Sequence, residues 1–327
     1  MDASKVKEFS KIFKIKKLEK VVLKEMKIKG FDVVLTAIKS NKKIKFLELI
    51  SMKTEENTKE MEESLKLISL NNNLMFLDFS GNNLSNLEKK IDFLVPKNLE
   101  SLKLMNINLS EFSLLNLLEK IKTSPKFKEL DISQNNLSNF KSIDHIFKSL
   151  KNCSNITSLN LSNCNLKDDL STKLFDFLPL SLRKLSLVGV NASNQSFINF
   201  SSIFNKTQLE FFDFSDNYFE IKSVKKFLFS LKNNKFLKHL DISVSSGKNS
   251  FLTETTQKEI MDCLIGSYSL ENVMICNKQS YNITHPILQI ISAKRKIVRT
   301  LFLIRNRKGT DFSFVPKRLL EYMISFF

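Results

Sequence analysis

One phrase recurs along this chain: LMFLDFSGNNL at 74–84, FKELDISQNNL at 127–137, ITSLNLSNCNL at 156–166 and LEFFDFSDNYF at 209–219. Its first, fourth and sixth places are apolar, the fifth and seventh are polar, and the ninth is Asn or Cys. A chain that repeats a phrase at a regular interval folds as stacked copies of one unit, because each copy can bury its apolar side only against its neighbours. Anchored at its first apolar place, the phrase starts at Leu18, Ile44, Leu74, Leu99, Phe127, Ile156, Leu182, Leu209, Leu237, Leu270 and Val298, at intervals of 25 to 33 residues. That accounts for almost the whole chain.

Between phrases the periodicity changes from two to about 3.6, as in FSLLNLLEKIK at 112–122, SIDHIFKSLKN at 142–152, IKSVKKFLFSLKN at 221–233 and TQKEIMDCLIGSYS at 256–269. Ser110 before Glu111 and Thr253 before Glu254 are suited to capping such helices. The repeating unit is therefore a short strand, a turn and a helix. Within the strand the fourth and sixth residues point inward, and the alternate ones face an open surface expected to be concave. Asn82, Asn135 and Asn217 at the ninth place can satisfy backbone groups left unpaired where the strand turns, and Cys164 takes that place in its own repeat. Ile107, Val190, Ser245 and Lys278 depart from the pattern.

The phrase resembles the leucine-rich repeat template L-x-x-L-x-L-x-x-N/C-x-L. Units of about 28 residues with a full outer helix resemble the ribonuclease-inhibitor-like class, which includes Ran GTPase-activating proteins, tropomodulins and the CARMIL regulators of actin capping protein. The resemblance implies an α/β solenoid of about eleven repeats, a horseshoe with parallel strands on the concave face and helices on the convex one. We expect a single domain over 1–327, with an N-terminal helical cap at 1–17, repeats at 18–308 and a C-terminal helical cap at 309–327. Pro316 would start that last helix, with Leu319, Leu320, Met323, Ile324 and Phe327 as its apolar face. With no Trp and 29 Phe, bulk in the core falls to Phe.

The chain carries a formal charge of +17, which invites an anionic partner. Projection onto the repeat complicates that. The fifth place, central on the concave face, holds Glu48, Asp78, Asp131, Asp213 and Asp241, with Asn160 and Ser186 between them and Lys103 as the one base. The seventh holds small hydroxyls: Ser80, Ser133, Ser162, Ser215 and Ser243. A mildly acidic concave face is expected, with lysines displaced to the outer helices and both ends. This face is the candidate site for a protein partner: Glu48, Asp78, Lys103, Asp131, Asn160, Asp213, His239 and Asp241. Toward the margins its strand positions turn apolar, at Val22, Phe46, Ile50, Met274, Phe302 and Ile304. A second candidate, for anions, is Arg295, Arg299, Arg305 and Arg307, since arginine makes bidentate contacts with phosphate or carboxylate.

Catalysis finds little footing in the residues. His145, His239 and His285 fall in separate repeats, and no glycine-rich phosphate loop, nucleophile elbow or paired-histidine metal motif is present. Cys153, Cys164, Cys263 and Cys276 lack metal-ligand spacing and suit reduced thiols in a cytoplasmic protein. No cofactor and no metal are expected. The start has no apolar core of a signal peptide, and no stretch approaches the length of a membrane span. The favoured reading is a non-catalytic protein-interaction scaffold. Two others stand beside it: a regulator of a small GTPase or of actin assembly, implied by the class resemblance, and attachment to anionic lipid or RNA through the basic exterior or the arginine-rich end.

Overall fold

The computed structural model describes residues 3–27, 31–52, 65–85, 94–243, 260, 263, 269, 270 and 272–274. All lie in one compact unit, Met1–Tyr281; a second unit, Asn282–Phe327, lies outside the described residues. So do Thr253, Cys276, His285, Ser245, Lys278, the arginine group, Phe302, Ile304 and the expected C-terminal cap. A single domain over 1–327 accordingly remains a proposal.

Ten strands follow one another in a single parallel sheet, each paired with the next: β1 Lys20–Lys24, β2 Phe46–Ile50, β3 Phe76–Asp78, β4 Ser101–Lys103, β5 Glu129–Asp131, β6 Ser158–Asn160, β7 Lys184–Ser186, β8 Phe211–Asp213, β9 His239–Asp241 and β10 Asn272–Met274. The register preserves the repeat without slip, so that Glu48 faces Asp78, Asp78 faces Lys103, and Asp213 faces Asp241. Parallel neighbours need a crossover, and helices supply it. Helix α1 Ala3–Ile12 precedes β1, and the crossover helices among the described residues are α2 Phe31–Ser40, α3 Glu111–Lys122, α4 Ile143–Lys151, α5 Lys167–Asp176, α6 Asn194–Ile203 and α7 Ile221–Ser230. Strands repeat at about 4.8 Å, while helices need about 10 Å each, so within this unit the sheet takes the inner side of the curve.

The core is built from the places the sequence marks. Leu74, Leu77, Leu99, Leu102, Phe127, Leu130, Ile156, Leu159, Leu182 and Leu185 are all buried, as are their counterparts on β8 and β9. Helix α3 adds Leu114, Leu117, Leu118 and Ile121, one stripe at helical spacing. Between α5 and α7 phenylalanine replaces leucine: Phe175, Phe197, Phe200, Phe204, Phe212, Phe214, Phe219 and Phe227 are buried together. Their rings pack at centroid distances such as 4.1 Å for Phe175–Phe200 and 4.8 Å for Phe197–Phe219.

Each turn after β1 to β8 passes through a left-handed residue at the eighth place. Glu25, Ser51, Gly81, Asn106, Gln134, Asn163, Gly189 and Asp216 all have φ between 50° and 73°. Only glycine adopts this without strain, and short polar side chains tolerate it best. At Gly189 a Cβ would also lie 2.6 Å from Asn163 Oδ1, its counterpart one repeat earlier.

The helix layer is stitched across repeats. Ser110 caps α3 by accepting from Ser113 N–H, as the sequence implies. Other caps come from the preceding helix. Glu111 of α3 accepts from the N–H groups of Lys141 and Ser142, before α4, at 2.8 and 2.6 Å. Asp168 of α5 accepts from Ser193 N–H and Oγ–H, both at 2.6 Å, and from Ser196 Oγ–H at the start of α6. Asn194 of α6 accepts from Glu220 N–H and Ser223 Oγ–H at the start of α7.

Candidate functional site

On the open face of the sheet the fifth-place residues form a continuous column, and most are engaged with their own turn. Asp131 Oδ1 accepts from Ser133 N–H at 3.0 Å and from Ser133 Oγ–H at 2.6 Å. Asp213 with Ser215 and Asp241 with Ser243 repeat this arrangement. Asp78 accepts from Ser80 N–H, and Asn160 does the same for Ser162 while donating its amide to Asp131 Oδ2 at 3.0 Å. Where the fifth place has no suitable acceptor, at Lys103 and Ser186, the preceding repeat's serine takes over. Ser80 Oγ accepts from Met105 N–H at 3.1 Å, and Ser162 Oγ from Val188 N–H at 3.2 Å. The acidic column thus terminates strands, satisfying a backbone donor that would otherwise be left unpaired.

The remaining candidates are also partnered. Glu48 is held by Lys20 at 2.6 Å and Lys24 at 3.4 Å. The Lys20 hydrogen bond outweighs partial burial and keeps this carboxyl below the usual range. Lys103 Nζ lies 5.6 Å from the centroid of the Phe76 ring. His239, half-buried, packs against Phe211 at 6.2 Å. Asp78 and Asp241 are buried; Asp131, Asn160 and Asp213 are half-buried. The strand register brings all eight to one face of the sheet. Sequence reasoning missed the pairing of fifth with seventh place, although the signal is legible: Ser stands two residues after each Asp or Asn, and Met105 and Val188 follow Lys103 and Ser186.

The ninth-place ladder is formed as expected. Asn135 Nδ2 donates to Leu104 O and Ile132 O at 2.9 Å, and its Oδ1 accepts from Ile107 N–H and Leu109 N–H. Asn82 and Asn217 make equivalent bonds. Cys164 substitutes by donating its thiol to Ile132 O. Burial pushes the thiols of Cys153 and Cys164 up to about 12, so neither is a nucleophile at neutral pH. His145 is exposed on α4. Among the described residues, no group of three His, Cys, Asp or Glu is placed to hold a metal ion.

The face exposes charged side chains at Lys20, Glu129 and Lys184 and, beside them, several large apolar ones. Val22, Phe46, Met105 and Met274 are exposed by 36% to 46%, and Phe46 meets the half-buried Phe76 at 6.3 Å. Val22 on β1 and the Phe46–Phe76 pair on β2 and β3 lie on neighbouring strands, whereas Met105 and Met274 stand apart from them along the sheet.

No family model matches the chain, and no curated protein matches it. Among solved structures, the leucine-rich repeat-containing protein LegL7 from Legionella pneumophila is 16% identical with a TM-score of 0.52, over 82% of this chain and 89% of that one. The tropomodulin C-terminal domain from Caenorhabditis elegans is 14% identical over 50% of this chain and 97% of that one, with a TM-score of 0.39. The actin-binding site 2 domain of leiomodin-1 is 13% identical over 61% and 99%, with a TM-score of 0.35. At those last two scores neither carries an argument, and the first speaks of fold alone. The described residues fold as a leucine-rich repeat solenoid.

Proposed function

We propose that the chain is a non-catalytic protein-interaction scaffold that receives its partner on the open strand face. The observation that supports this is the set Val22, Phe46, Met105 and Met274, held in solvent by a hydrogen-bonded ladder of strands. A preformed surface of this kind loses little conformational freedom on binding. The acids of the fifth place set the polar background and the strand ends, while the apolar residues supply the contact area. The partner is a protein with a complementary apolar patch bordered by hydrogen-bond donors. Reading actin or a small GTPase as that partner rests on the class resemblance alone.

The test is affinity capture with two variants beside the wild type. Phe46→Asp with Val22→Asp should abolish capture of the proteins that the wild type retains. Asp131, Asp213 and Asp241 changed together to Asn keep the acceptor for Ser, as Asn160 already does, and remove only charge; a several-fold weakening is expected. Capture unchanged in both variants would overturn the assignment to this face.

A further inference from the structure

The two loop edges of the sheet differ in charge. Loops running from strand to helix are rich in asparagine and bond to themselves: Asn165 donates to Ser138 Oγ at 3.2 Å, and Asn191 donates to Asn165 Oδ1 at 2.9 Å. Loops running from helix to strand carry the exposed lysines Lys16, Lys42, Lys97, Lys126, Lys206 and Lys235, among others. Among the described residues the acids of these loops are Glu19, Glu100 and Glu210. Each is paired with the lysine at its own place one repeat later, Lys45, Lys128 and Lys238, at 3.9, 2.8 and 2.6 Å. Other described acids beside these loops are Glu129, the exposed first residue of β5, Asp176, ending α5, and Glu119, which pairs with Lys122. Among the described residues the net charge of this edge is therefore positive.

Two simpler accounts fall short. A lysine-rich composition would distribute lysines over both edges. The helix dipole favours cations at helix ends and explains Lys120, Lys122 and Lys151, which lie in last turns, but not Lys97, Lys126 or Lys235 in the loops. Nor does either explain the second property of the edge. Exposed large apolar residues stand in the same loops: Ile15 at 55%, Leu70 at 56%, Leu180 at 80% and Phe236 at 43%. Lys97, Lys120 and Lys126 also line a recess of about 590 Å³ there, with Asn72, Asn98 and Thr123 as its polar wall.

We propose that this helix-to-strand edge docks on a membrane surface bearing anionic phospholipids. Its lysines meet headgroup phosphates and carboxylates, the recess receives one headgroup, and Ile15, Leu70, Leu180 and Phe236 enter the boundary between headgroups and acyl chains. Lysine attraction combined with apolar insertion is the chemistry of peripheral attachment. Among the described residues no helix is long and apolar enough to cross a membrane. Single-stranded RNA fits less well, because it is gripped by stacking on aromatic rings and three of these four side chains are aliphatic.

Flotation with phosphatidylcholine vesicles, with and without phosphatidylserine, tests the proposal. Wild type should float only with the anionic vesicles. Lys97, Lys126 and Lys235 changed together to Glu should weaken binding at least about tenfold, and the milder Gln version should weaken it less. Leu180→Ser with Phe236→Ser should remove the part of the binding that survives high salt. All five positions are exposed, and unchanged melting temperatures would confirm intact folding. Equal flotation with neutral vesicles, no flotation, or full binding by the edge variants would each overturn the proposal. So would binding lost only when Arg295, Arg299, Arg305 and Arg307 are replaced by Gln, or competition by single-stranded RNA in a protein indifferent to the Leu180 and Phe236 changes.

Discussion

The repeats on β4 to β6 and those on β7 and β8 keep the same strand register and the same turns, yet fill their cores with different material. In the first stretch the strands cover Leu102, Leu104, Leu130, Ile132, Leu159 and Leu161, with Phe127 and Phe147 as separate buried rings; in the second, Leu185 and Leu187 stay under β7 but Phe212 and Phe214 meet Phe197, Phe200, Phe204 and Phe227. Backbone geometry in this fold is thus set by turn chemistry, while core residues need only be apolar and fill the space together. An aromatic cluster shares each ring among several neighbours, so its members depend on one another more than leucines in separate layers do.

Removing one ring should separate the stretches most clearly. Phe200→Ala is expected to cost about 4 kcal/mol and Leu130→Ala about 3 kcal/mol, read from urea unfolding. In addition, Phe200→Ala paired with Phe212→Ala should be strongly non-additive. Additive losses would dissolve the distinction. Turn chemistry should show no such difference: Asn135→Ala and Asn217→Ala leave buried backbone groups unpaired and should each cost about 2–3 kcal/mol. Cys164→Ala, which gives up only weak thiol bonds, should cost about 1 kcal/mol. A large gap between the two asparagines would mean that core filling does reach the turn.

Acid sharpens the comparison, since each stretch has one carboxylate cap. The Ser142 hydrogen bond, aided by those from Lys141 and Ser142 N–H, holds Glu111 below the usual range. Burial opposes ionisation of Asp168, but bonds from Ser193 and Ser196 more than offset it, and its pKa too is lowered. A lowered folded value means that the stabilisation is complete above the unfolded pKa of about 4 and is lost as pH falls through the folded value. Urea midpoints should decline below about pH 4.5, and Glu111→Gln should flatten part of that decline; an identical curve would remove Glu111 as a contributor. The smallest effect expected is no reaction at all. With pKa values near 12, Cys153 and Cys164 should be alkylated by iodoacetamide at least about a thousandfold more slowly than free cysteine, and prompt labelling of the folded chain would contradict their burial.

The strands, their order and their buried places were legible in the sequence, because every repeat must bring apolar residues of its own to the first, fourth and sixth places. The asparagine ladder was legible for the same reason. The inter-repeat caps were not: Glu111 and Asp168 look like ordinary first-turn acids, and their partners lie 25 to 31 residues away. The acidic column was read as an outward face because its charge shows in the sequence, whereas the serine donors that occupy it show only when fifth and seventh places are compared.

The caps passed from helix to helix carry a consequence for how such a chain can be cut and rejoined. Helix α4 takes an acceptor before its first turn from Glu111, and α6, besides its own Ser193 cap, takes one from Asp168, so a boundary drawn between helices would remove those acceptors without altering any residue of the helix that uses them. The segment that could be transplanted or duplicated intact begins inside the first turn of one helix and ends after the first turn of the next, out of phase with the strand-turn-helix phrase by which the sequence announces itself.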